Sequence, residues 1–175
     1  LVKQSIPLPI ASPVEAADQF WQGVTSRTKV IFISHITSPT AVRMPVEIIR
    51  KKAHDAGILT VIDGAHAPGQ IPLDLTAMEP DFYLGNCHKW MQSSKVAGFL
   101  YTRRELQPLL DPLVVSWGWG ENASFTSGSK YLDYFEWLGT NDPSAYLSVP
   151  AAIQFQEEYN WPAVQQQCHQ ILADG

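Results

Sequence analysis

Asp63, His66, His88 and Lys89 are the side chains around which this chain could build chemistry. Asp63 follows an apolar, β-branched run at 58–62, with Gly57 before it and Gly64 after it, which reads as a buried strand. A second strand-like run, 82–87, leads into His88-Lys89. If the two strands are neighbours, they bring an acid, an imidazole and an amine to one edge of a sheet, where open α/β folds place ligands. A lysine can form a Schiff base, and a carboxylate can keep a pyridine nitrogen protonated. A pyridoxal 5'-phosphate (PLP) site needs that pair.

Each residue also has a plainer reading. Asp63-Gly64 is a common turn, Lys89 could be a solvated charge, and His66 could be a loop histidine bonded to backbone. Lys89, however, is followed by Trp90-Met91, where a cation would be partly desolvated. Asn86 and His88 alternate with Cys87, so they share a face if the strand stays extended, and Cys87 points the other way as a small buried hydrophobe. Asp63, His66, Cys87 and His88 are all metal-ligand types, but Cys87 and His88 diverge on an extended backbone, so no metal is expected. The same divergence disfavours a Cys–His nucleophile. Cys168, in a Gln-rich helical stretch, reads as structural.

The elements that must hold these residues follow in order. Residues 2–10 alternate loosely as a short strand, with Pro7 and Pro9 marking an edge or an early end. Ser12-Pro13-Val14-Glu15 has the pattern of a helix start with a capping box, and Val14, Ala17, Phe20, Trp21 and Val24 give the buried face. A strand at 29–34, a loop at 35–44 and a helix opening at Pro45 come next, with Gly57 as its C-terminal cap. This strand–helix–strand order implies a right-handed parallel crossover. Asp74 caps a short helix. The run 97–101 follows Lys89 too closely for a helical crossover and is expected to be antiparallel. Beyond Asp111-Pro112 the chain is aromatic and Gly-rich, with Trp117, Trp119, Phe125 and Tyr131. Pro143 opens a helical region interrupted at Pro150, and Asn160-Trp161-Pro162 starts another helix.

At 175 residues the chain can bury a substantial core. A net charge of −5 and no basic run argue against a nucleic-acid partner. No apolar stretch is long enough to span a membrane. Two cysteines are too few for a disulfide scaffold, so a reducing cytoplasmic setting is expected. Charged residues make up 17%, below the usual share of roughly 25%, which suggests a piece of a larger chain with surface facing other protein.

The run from Asp63-Gly-Ala-His66 to Gly85-Asn-Cys-His-Lys-Trp90 resembles the class V aminotransferase family, closest to its isopenicillin N epimerase-like branch. The stretches at 34–40, 98–101, 116–120 and 139–155 agree with it. The resemblance implies a fold-type I large-domain core: a mostly parallel sheet with one antiparallel strand and helices on both faces. Residues 1–142 would form the cofactor-binding core, and 143–175 would lead towards a small domain not seen here. It implies that Lys89 carries the cofactor and then moves a proton at the substrate's Cα, and that Asp63 meets the pyridine nitrogen. His66 would touch the phenolic oxygen, and Asn86 and His88 the phosphate. Thr140 would reach a phosphate held by the neighbouring subunit of a homodimer, although Gly139-Thr140 also reads as a plain turn.

Three positions depart from the family pattern. Ser94-Lys95-Val96 stands where Pro-Lys-Gly is frequent, Asn141 where Arg is frequent, and Ala41 where Gly is frequent. The expected reaction is PLP chemistry at the Cα of a small amino acid, epimerase- or aminotransferase-like. Cysteine desulfurase or C–S lyase chemistry is the alternative, and a non-catalytic fragment serving as a subdomain or interaction surface is a third reading.

Overall fold

The computed structural model describes the 175 residues apart from 122, 124, 125 and 138, so Phe125 lies outside the described residues. Helix α1, Pro13–Trp21, starts as the capping pattern predicts. Ser12 Oγ accepts from Glu15 N at 3.1 Å, and the Glu15 carboxylate reaches back to Ala11 N at 3.2 Å. Strand β1 is Val30–Ser34, helix α2 Val46–Asp55 and strand β2 Leu59–Gly64. Gly57, at φ +67°, ends α2 in the left-handed conformation that glycine tolerates best. A short helix α3, Leu75–Met78, is capped by Asp74, whose Oδ1 accepts from Ala77 N at 2.9 Å. Strands β3, Phe82–Asn86, and β4, Gly98–Thr102, complete the sheet.

The sheet order is β1-β2-β3-β4, with three parallel strands and an antiparallel β4. Its core is continuous: Ile31, Ile33, Ile62 and Tyr83 meet Ala17 of α1 and Val46, Ile49 and Ala53 of α2. On the other face, Tyr131 of helix α4, Lys130–Glu136, bonds the buried Thr102 hydroxyl at 3.0 Å. Above that contact Val30, Phe32, Leu84 and Leu100 stay exposed, Phe32 at 65%. Helices α5, Ser144–Leu147, α6, Val149–Glu158, and α7, Trp161–Asp174, follow; Pro150 and Pro162 sit in first turns, where the missing N–H costs nothing.

Two expectations are corrected. Residues 2–10 form no strand. They find no ladder partner, Pro7 and Pro9 lack donors, and the segment is held instead by Gln4 Nε2 donating to Gln19 O and by Ile6 packing on the core. Strand β3 stops at Asn86 rather than 87, so the alternation that would put His88 beside Asn86 is not maintained.

Candidate active site

The parallel register sets Ser34, Asp63 and Leu84 side by side at the carboxyl edge of the sheet. Asp63 is the penultimate residue of β2 and partly buried. Its Oδ1 accepts from Ala65 N at 3.0 Å, so it does cap the turn. Among the described residues Oδ2 takes no hydrogen bond and remains for another donor. The turn closes with Ala67 N donating to Gly64 O at 2.9 Å and carries His66 at its third position. Gly64 is required here, because a Cβ would lie 2.1 Å from the Tyr83 ring.

Lys89 lies just beyond β3, partly buried, with Nζ 3.0 Å from His66 Nε2. The indole Nε1 of Trp90 donates to His66 Nδ1 at 3.4 Å. Burial, then the nearby Lys89 charge, lower the His66 pKa below its ordinary 6.5, with Asp63 pulling the other way. Asp63, His66 and Lys89 are therefore one electrostatic cluster, as their strand-end positions predict. The two loops also touch through backbone: Gly69, at φ +80°, would push a Cβ to 2.4 Å from Trp90 O. Helices α6 and α7 hold this contact from outside. Gln156 Nε2 donates to Trp90 O at 3.0 Å, and Trp161 Nε1 and Gln165 Nε2 both donate to Gly69 O at 2.7 Å.

The other predicted residues are placed differently. His88 Nδ1 bonds Ala97 O at 2.9 Å, a carbonyl that Cys87 N also reaches at 3.0 Å. Cys87 is buried, and burial pushes its thiol pKa up. Asn86 is partly buried at the end of β3 beside Gly98. Thr140 is exposed on the turn before α5, and no hydrogen bond joins it to Lys89 or His66. Among the described residues no group of His, Cys, Asp or Glu is arranged to hold a metal ion, and no helix is long and apolar enough to cross a membrane.

Sequence reasoning passed over two contributors. His35 is fully buried, its Nδ1 is 2.9 Å from the Tyr83 hydroxyl, and its backbone N donates to Asp63 O at 2.8 Å. It follows β1 at the same sheet edge as Asp63, and that strand-end position was the available signal. Trp90 was noted only for desolvating Lys89, because a ring contact between two loops leaves no spacing signature.

A mostly parallel sheet with an amine, an imidazole and a carboxylate gathered at its carboxyl edge defines the class: an α/β domain with a polar cluster where such sheets place ligands. The aminotransferase class-V family model matches residues 11–174, and the chain belongs to that family. It is 36% identical over 173 residues to isopenicillin N epimerase of Amycolatopsis lactamdurans, covering 94% of this chain and 43% of that protein. It is 32% identical over 169 residues to putative L-cysteine desulfhydrase 1 of Oryza sativa subsp. japonica, covering 91% of this chain and 33% of that protein. Among solved structures it resembles a variant of the cystine C-S lyase C-DES with glycine covalently linked to its PLP cofactor, at a TM-score of 0.72 and 23% identity. That match covers 82% of this chain and 39% of that one, and at this identity it shows the fold alone. The chain thus spans less than half the length of each relative.

Proposed function

We propose that this chain is the cofactor-binding core of a PLP-dependent enzyme acting at the Cα of an amino acid, in the manner of the isopenicillin N epimerases. The observation that carries this reading is the 3.0 Å approach of Lys89 Nζ to His66 Nε2 beside Asp63. When bound, PLP supplies a reactive carbonyl and an electron sink. The residues present fit it. Lys89 would be the covalent anchor and the group that moves a proton at Cα. The open Oδ2 of Asp63 suits a protonated ring nitrogen, and a His66 kept neutral can hydrogen-bond a phenolic oxygen. Asn86 and His88 are proposed for the phosphate, His88 after its imidazole leaves Ala97 O. Thr140 is proposed to serve a partner subunit in a homodimer, in keeping with its exposed turn. In this reading residues 1–142 form the cofactor core and 143–175 lead towards a small domain.

A C–S lyase or desulfurase outcome is the second reading, favoured by the 32% identity to the rice desulfhydrase-named protein. Lys89 and Asp63 serve both outcomes equally. The test is to incubate the protein and PLP with single amino acids in deuterated buffer. Deuterium entering at Cα with a change of configuration supports the epimerase-like reading, and sulfide release from cysteine supports the lyase reading. Neither reaction, with any amino acid, refutes both.

A further inference from the structure

His66 receives two neighbours whose demands conflict. A neutral imidazole has one N–H and one lone pair. Trp90 Nε1 can only donate, so its contact with Nδ1 uses the lone pair there. Nε2 must then carry the proton, and that proton faces Lys89 Nζ at 3.0 Å. A lysine with a free lone pair can accept from Nε2–H. An ammonium cannot, and it favours the opposite tautomer with the lone pair on Nε2. The lowered pKa of His66 keeps this a contest between two neutral tautomers.

We propose that Trp90 is a positioning residue: its indole N–H reserves the Nδ1 lone pair of His66, biasing the imidazole to the tautomer that presents Nε2–H to Lys89 and so orienting that amine. The placement is secured by contacts unrelated to the chemistry. Gly69 allows the close approach to Trp90 O, and Gln156 holds the same carbonyl. Trp90 is 45% exposed, so its N–H is not needed to fill the core. The inference rests on the reading of Lys89 as the covalent anchor, but its first test does not require the cofactor.

That test is the nitrogen-15 spectrum of the histidine side chains, with His66 assigned from His66→Gln. In Trp90→Phe the ratio of the Nδ1–H to the Nε2–H tautomer of His66 rises roughly two- to tenfold, the equilibrium equivalent of one hydrogen bond. The rate at which Lys89 captures PLP, trapped with borohydride, falls by a similar factor. Replacing the indole with its benzothiophene isostere, which keeps the ring shape and loses the donor, produces both changes. An unmoved ratio in both variants, or wild-type behaviour of the isostere, overturns the assignment. If wild-type Lys89 captures no PLP, the functional reading fails, while a moved tautomer ratio still supports the role of Trp90. If capture is normal and the ratio is fixed, the Trp90 inference fails alone.

Discussion

Lys89 Nζ and His66 Nε2 meet at 3.0 Å across the ends of two adjacent parallel strands. The approach depends on backbone as much as on side chains. Gly64 leaves room for Tyr83 beneath the first loop, and Gly69 leaves room for the Trp90 carbonyl beside the second. The amine is thereby held next to the turn that Asp63 caps.

Asp63 provides the first prediction. Asp63→Ala retains covalent capture of PLP, because Lys89 is untouched, but loses the charge that favours a protonated ring nitrogen. Exchange of the substrate's Cα hydrogen with solvent deuterium falls roughly 10²–10³-fold, the usual loss when one aligned electrostatic partner is removed. Exchange at the wild-type rate would remove Asp63 from that role.

Ala41 and Val96 both have positive φ, 51° and 83°. A side chain there costs about 1–2 kcal/mol, offset by about 0.4–1 kcal/mol because glycine loosens the unfolded chain. Ala41→Gly and Val96→Gly therefore stabilise the protein, by up to about 1.6 kcal/mol, with β-branched Val96 the larger gain. Denaturant midpoints read this directly, and a lower midpoint in both variants would contradict it.

Much of the frame was legible because it rests on local rules. The Ser12 and Asp74 caps, the crossover from β1 to β2 and the antiparallel β4 follow from residue types and from connection lengths. The Asp63–His66–Lys89 cluster was legible for the same reason, since strand ends align where strands pair. What escaped depended on partners distant in sequence. The strand expected at 2–10 had no ladder to join. The fold-back of His88 onto Ala97 O, the His35–Tyr83 pair and the Trp90 contact arise only after loops from separate elements meet.

Asp81 anchors the opposite end of the sheet. Its buried carboxylate accepts from Thr60 N at 2.8 Å and Thr60 Oγ1 at 3.0 Å, and it pairs with Arg103 Nη2 at 3.1 Å. Asp81→Ala leaves the Thr60 N–H and hydroxyl without their acceptor and removes one of two carboxylates on Arg103, whose Nε keeps Glu105 Oε1 at 2.8 Å, and costs about 2–3 kcal/mol. Thr60→Val, which removes only the hydroxyl, costs about 1 kcal/mol. Urea unfolding compares them, and equal losses would contradict this reading.

His35 and His66 make stability depend on pH. Burial lowers the pKa of His35, and charging it would place a cation in the core where Nε2 has no partner among the described residues. Both folded pKa values lie below the ordinary 6.5, so the unfolded chain binds these protons more readily. The stabilisation is fully present above pH 6.5 and is lost as the pH falls below it. Unfolding free energies at neutral and mildly acidic pH should show the decline, with a shallower slope in His35→Gln. An unchanged slope in that variant would rule out His35 as its main source.

The central claim is that Lys89 is the covalent anchor of a PLP site. The direct measurement is to mix the protein with PLP, reduce with borohydride, digest, and locate the added mass by tandem mass spectrometry. A stoichiometric adduct on Lys89 that is absent in Lys89→Ala is expected. An adduct scattered over surface lysines, or retained in Lys89→Ala, would contradict it.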